Sequence, residues 1–86
     1  MVLEARPVEW AEPAFFKFLK LDPSDDDRRA LRAMFDHVEE GKQSATPVMF
    51  AYPQKSYLVV LGNWRIIVEE RPNIWYVTYA DNKMHQ

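Results

Sequence analysis

One arginine in this chain occupies a position where its side chain could do phosphate chemistry. Arg65 follows a glycine-asparagine turn and begins a run of strand-forming residues, in the string GNWRII of residues 62–67. A guanidinium is permanently charged and offers paired N–H donors, which suits it to bind phosphate or to stabilise negative charge in a transition state. The structural alternative is that Arg65 pairs with the carboxylate of Glu69 or stacks on the ring of Tyr76.

Few other side chains could move a proton. His85 is a candidate acid or base because imidazole titrates near neutrality, and the alternative is a tail residue without a role. His37 is expected on the solvated surface of a helix. The two histidines are far apart and cysteine is absent, so the sequence contains no metal-binding motif. With no glycine-rich phosphate loop and no nucleophile elbow either, we expect neither a metal nor another cofactor.

A cluster of three arginines is the only concentration of positive charge. Arg28, Arg29 and Arg32 lie on a predicted helix and could meet phosphates or an acidic partner. The alternative is pairing within the helix, such as Arg32 with Asp36 four residues later, together with balance against the acidic run at 25–27.

Length and composition set the class of protein. The chain has 86 residues, of which 48% are hydrophobic, so a single domain with a core is expected. The formal net charge is −2 and the pI about 5.6, which argues against strong attraction to nucleic acid. No apolar run is long enough to cross a membrane, and the first residues lack the pattern of a secretion signal. The expected location is therefore the cytoplasm, without membrane association.

The periodicity of apolar residues predicts two helices, at about 13–21 and 25–40. Pro13 suits the first turn of a helix, and Pro23 disfavours helical geometry in the residue before it. Ser24 with Asp27 resembles a capping box, and Gly41 is a natural residue to follow a helix end.

After Gly41 the period changes from 3.6 to 2, which predicts strands. We place them at about 47–51, 56–61, 64–70 and 74–80, with an edge strand at about 2–9 and a polar tail at 81–86. A turn at 62–63 pairs Leu61 with Trp64, and a turn at 72–73 pairs Val68 with Val77 and Ile66 with Tyr79. This register puts Arg65 and Tyr76 on the sheet face opposite the helices, and it puts Tyr79 on the face beneath them.

This pattern of elements resembles the RelE/ParE superfamily of bacterial toxins. The resemblance rests on the order of a helical hairpin followed by a meander, and on the residues 62–67 with their aromatic-arginine-isoleucine-isoleucine sequence. Residues 8–10 and 18–21 also fit. It implies an α+β fold in which a two-helix hairpin packs on one face of a small antiparallel β-sheet.

The resemblance implies two kinds of activity and several partners. RelE-like members cut mRNA in the ribosome without a metal, through attack of the RNA 2′-hydroxyl on the adjacent phosphate. ParE-like members inhibit DNA gyrase and cut nothing. Both kinds are neutralised by an antitoxin protein. The implied partners are therefore an antitoxin, together with either RNA and the ribosome or gyrase.

The family pattern also suggests site residues. Arg65 matches the conserved strand arginine, which would stabilise the phosphate. The second site element follows the last strand, where an Arg or His and often a Tyr are expected. Here Lys83 and His85 are the basic candidates, and Tyr76 is the candidate tyrosine; no arginine and no tyrosine stand in the tail. Two alternatives remain open: a non-catalytic interaction module on the same fold, gyrase-directed or inactive, or an unrelated small α+β binding protein.

Overall fold

The computed structural model describes residues 1–49 and 55–83. It is an α+β fold of two helices and one five-stranded sheet. In chain order the elements are β1 (Val8–Trp10), α1 (Glu12–Lys20), α2 (Asp25–Glu39), β2 (Thr46–Val48), β3 (Ser56–Leu61), β4 (Trp64–Glu70) and β5 (Trp75–Asn82). Across the sheet the order is β1-β5-β4-β3-β2. No helix in these ranges is long and apolar enough to pass through a bilayer.

The sheet is mixed, and the expectation of a wholly antiparallel sheet is wrong. Strand β1 runs parallel to β5, pairing Val8 with Trp75 and Trp10 with Val77, while the other neighbouring strands are antiparallel. Both helices and three strands separate β1 from β5, so no local turn sets their relative direction. The predicted edge strand at 2–9 also differs, because Val2 makes only an isolated bridge to Ser44 and the paired strand begins at Val8.

Local signals place the helix ends close to their predicted positions. Pro13 lies in the first turn of α1, and Asp22 after its end has a φ of 50°. At α2 the Ser24 hydroxyl accepts from the Asp27 N–H at 3.0 Å, and the Asp27 carboxylate accepts from the Ser24 N–H at 3.2 Å. This reciprocal pair is the predicted capping box. Gly41 follows the helix with a φ of 73°, which glycine adopts without a steric cost.

The core lies between one sheet face and the two helices. Helix α2 contributes Leu31, Met34 and Val38, and α1 contributes Phe18, whose ring lies 5.2 Å from that of Trp64. The sheet residues on this side are buried and alternate along their strands: Tyr57, Val59, Trp64, Ile66, Val68, Trp75, Val77 and Ala80. The opposite side, which we call the open face, carries the intervening side chains.

An irregularity between β4 and β5 changes what the open face contains. The predicted pairs Leu61–Trp64 and Val68–Val77 occur. The predicted pair Ile66–Tyr79 is wrong, because the register shifts between Ile67 and Val68 and Ile66 pairs with Ala80 instead. One extra residue in β5 inverts the alternation beyond it. Tyr79 and Asp81 therefore lie on the open face rather than beneath the helices.

The last strand is longer than expected, and β2 begins earlier. Strand β5 continues to Asn82, so the first two residues of the predicted polar tail belong to the sheet. Strand β2 covers Thr46–Val48 instead of 47–51, and residues 50–51 of that prediction lie outside the described ranges.

Candidate functional site

Arg65 stands on the open face near the centre of the sheet. Its chain neighbours Trp64 and Ile66 are buried against the helices, and side chains alternate along a strand. It faces Val60 on β3 and Asp81 on β5. The side chain is 37% exposed. The predicted orientation of Arg65, away from the helices, is therefore the one observed.

A carboxylate occupies one side of the Arg65 guanidinium. Arg65 Nη2 lies 3.0 Å from Oδ2 of Asp81, a residue whose side chain is only 14% exposed. The Tyr79 hydroxyl donates to the same oxygen at 3.0 Å, and the Asn82 N–H donates to Oδ1 at 2.9 Å. Within the described part of the chain, at least three donors thus converge on one carboxylate, which holds the arginine in a defined position.

These contacts favour the ionised form of Asp81. The hydrogen bond from Tyr79 lowers the pKa of Asp81 below its ordinary value of 3.8, and the bonds from Arg65 and the Asn82 N–H act in the same direction. Burial of the carboxylate opposes them with a smaller effect. Burial and the bond to Asp81 raise the pKa of Tyr79. Asp81 is therefore an anion, and Tyr79 a neutral donor, at neutral pH.

A lysine from α1 completes this cluster. Lys17 Nζ lies 4.4 Å from the centre of the Tyr79 ring, in cation–π geometry. Strand β1 ends opposite Val77, so the last residues of β5 extend beyond it and lie beside α1. We call Arg65, Asp81, Tyr79 and Lys17 the Arg65 cluster.

One donor of the cluster has no acceptor among the described residues. Arg65 Nε is buried and makes no hydrogen bond to any atom of the described residues. An unmatched buried N–H costs free energy unless water or another acceptor meets it. The same arginine thus has one nitrogen fixed by Asp81 and another without an acceptor in this part of the chain.

The predicted site tyrosine, Tyr76, does not join Arg65. Tyr76 faces Glu69, four residues along β4 from Arg65, which corresponds to about 13 Å of strand. The Arg71 guanidinium stacks on its ring at 4.2 Å, and Arg71 Nε contacts Glu69 at 3.1 Å. Arg71 therefore makes both contacts that the structural alternative assigned to Arg65.

Of the two basic candidates near the C-terminus, the structure describes only Lys83. Lys83 is exposed, and its N–H donates to the Asn63 carbonyl at 2.8 Å, beside the β3–β4 turn. His85 lies outside the residues that the structure describes. Across 1–49 and 55–83, no three His, Asp or Glu side chains converge as metal ligands.

Sequence reasoning missed three of the four cluster members. Asp81 was expected in the tail and Tyr79 on the covered face, and Lys17 was not considered. In the structure the shift is visible because the buried positions of β5 change from Trp75 and Val77 to Ala80 and Asn82, and the residue types alone do not indicate it. Searches against protein-family models, curated proteins and solved structures found no match to this chain.

Proposed function

We propose that this protein is a RelE/ParE-like toxin domain that acts by binding a protein and does not cut RNA. The proposal combines the sequence resemblance with the α+β architecture, in which two helices cover one sheet face and the strand arginine stands on the other. The resemblance supplies the biological class. The surroundings of Arg65 supply the preference for binding over catalysis.

The observation that carries this preference is the ion pair of Arg65 with Asp81. A phosphate that approached Arg65 would meet an ionised carboxylate already on the guanidinium, because the pKa of Asp81 is lowered. Like charges repel more strongly where solvent is partly excluded. The net charge of −2 on the whole chain adds no long-range attraction for RNA.

The rest of the open face suits contact with a protein. Val60 faces Arg65 across the sheet and is 61% exposed, an unusual exposure for a strand valine. Leu58 and Ile67, paired across β3 and β4, are half-buried beside it. An exposed apolar patch of this kind is typical of a surface that contacts another protein. An antitoxin and a gyrase-like target are the partner classes that the resemblance implies.

The test is induction of the protein in a bacterial host with variants of the open face. We expect growth arrest with wild type, continued arrest with Arg65→Ala, and loss of arrest with Val60→Asp. Val2→Asp is the matched control, since Val2 is 54% exposed and lies outside β3, β4 and β5. Absence of arrest with wild type would remove the toxin assignment. Loss of arrest with Arg65→Ala, in a variant that still folds, would remove the binding mechanism.

A second candidate, a metal-independent endoribonuclease, is favoured by the composition of the Arg65 cluster. Its carboxylate could take the proton of the RNA 2′-hydroxyl while the exposed part of the Arg65 guanidinium stabilised the negative charge on the phosphorane oxygens. The 5′-oxygen would leave with a proton taken from water, which gives one product a 5′-hydroxyl end and the other a 2′,3′-cyclic phosphate. In this case Asp81→Asn would abolish RNA cleavage and arrest together, whereas the binding mechanism predicts that Asp81→Asn retains arrest.

A further inference from the structure

A cleft on the helix side of the molecule is lined largely by aromatic rings. Its volume is about 270 Å³, and it lies where β1, α1 and α2 meet. Trp10 contacts Phe15 and Phe35 edge to face, with ring centres 5.5 Å and 5.6 Å apart. Phe18 and Leu31 complete the apolar wall. Because it is separated by the sheet from the open face, this cleft is independent of the proposed function.

The aromatic residues of this cleft are only partly covered by the protein. Phe15 is 37% exposed, and Trp10 and Phe35 are half-buried. Burial of apolar surface is favourable at roughly 25 cal/mol per Å², so a ligand that fills the cleft gains from covering these rings. A volume of about 270 Å³ is just below the range of roughly 300–1,000 Å³ that holds drug-sized ligands. The cleft therefore suits a small ligand with an apolar body.

Two arginines at the rim of the cleft favour a ligand whose polar end is negatively charged. Arg28 and Arg32 are one helical turn apart on α2, and both line the cleft. Neither guanidinium makes a hydrogen bond or an ion pair with any described residue, so the predicted Arg32–Asp36 pair is absent there. The third arginine differs, because Arg29 binds Asp26 at 2.6 Å.

Asp36 also lines the cleft, one further turn along α2. It is exposed and makes no ion pair within 1–49 and 55–83. The rim therefore carries two positive charges and one negative charge, with the positive pair nearer the N-terminal end of the helix. This arrangement favours one anionic group at the Arg28–Arg32 side and disfavours a dianion that would also reach Asp36.

We propose that this cleft binds a small amphipathic carboxylate, with its apolar body among the aromatic rings and its carboxylate between Arg28 and Arg32. Guanidinium groups bind carboxylates through paired N–H donors, and here both groups lack a competing acceptor in the described chain. The bound ligand would cover Phe15 and Phe35 and tie α2 to β1 through Trp10.

The test uses 4-phenylbutanoate as the probe and its amide as the neutral control. Binding is measured by calorimetry and by the NMR signals of the Trp10 indole. We expect saturable binding with a dissociation constant in roughly the millimolar range or below, as befits a ligand of about a dozen heavy atoms. The amide should bind roughly tenfold more weakly, since it loses the charge-assisted bonds.

Variants of α2 separate the arginine contacts from general positive charge. Arg28→Gln with Arg32→Gln should weaken carboxylate binding roughly tenfold and leave amide binding unchanged. Arg29→Gln is the matched control, since its side chain is 75% exposed and lies outside the cleft, and it should bind as wild type does. The proposal would be overturned if the acid and the amide bound equally well, or if no saturable binding were seen. It would also be overturned if Arg29→Gln weakened carboxylate binding as much as the double variant does. A protein that bound an acidic apolar peptide but did not bind 4-phenylbutanoate would also overturn it.

Discussion

Arg65 and Asp81 face one another directly across β4 and β5, and their side chains join at 3.0 Å on the open face of the sheet. This contact exists because β5 gains one residue between the partners of Ile67 and Val68. Without that residue Asp81 would point towards the helices. The same local irregularity thus places a carboxylate on the one arginine that the sequence marks for phosphate chemistry.

Replacement of Asp81 by Asn should destabilise the protein by about 1–2 kcal/mol, because the Arg65 ion pair is lost and the acceptor for Tyr79 is weakened. Urea unfolding measures this change. The matched control is Asp36→Asn, an exposed carboxylate on α2 without an ion pair in the described chain, for which we expect less than about 0.5 kcal/mol. Equal effects at the two positions would show that the Asp81 contacts add nothing to stability.

Acid should remove the contribution of Asp81. Its folded pKa lies below the ordinary value of 3.8, so the stabilisation is present above that value and is lost as pH falls through the folded pKa. The difference in Tm between wild type and Asp81→Asn should therefore be constant above about pH 5 and shrink at lower pH. A difference that grew on acidification would mean that the pKa of Asp81 is raised.

Two phenylalanines on α1 should respond differently to truncation. Phe18 is 6% exposed and packs on Trp64, whereas Phe16 is 52% exposed. We expect Phe18→Ala to cost about 3–4 kcal/mol through lost burial and a cavity, and Phe16→Ala less than about 1 kcal/mol. Chemical denaturation of both variants tests the orientation of α1. Similar losses would contradict the assignment of Phe18 to the core.

The capping box of α2 should be worth about 1 kcal/mol. Ser24→Ala removes the acceptor of the Asp27 N–H, and that donor would then depend on water. The expected result is a fall of that size in unfolding free energy. Ser44→Ala is the control, because Ser44 is an exposed residue outside any helix and its change should be near neutral. A smaller loss at Ser24 than at Ser44 would contradict the cap.

The sequence predicted the features that are set by residues close together in the chain, and it did not predict those that join distant segments. The capping box, the helix ends and the Leu61–Trp64 turn are set by residues within a few positions of one another, and these predictions agree with the structure. The parallel pairing of β1 with β5 joins distant segments, and no local pattern encodes its direction. The extra residue of β5 has no glycine to mark it.

The candidate site shows the same division. The outward orientation of Arg65 follows from alternation along one strand, so it was predictable. Its partners were not, since Asp81 and Tyr79 depend on the bulge and Lys17 comes from α1. The prediction of the site therefore failed because the cluster joins side chains from β4, β5 and α1, whose relative positions the sequence does not show.

Mapping of RNA ends in growth-arrested cells tests the central claim most directly. RNA would be sequenced from cells that express wild type and from cells that express Arg65→Ala, at the onset of arrest. If the protein acts by binding a protein partner, arrest occurs without new RNA ends in either culture. New ends that carry 2′,3′-cyclic phosphates with wild type, and that are absent with Arg65→Ala, would contradict the account.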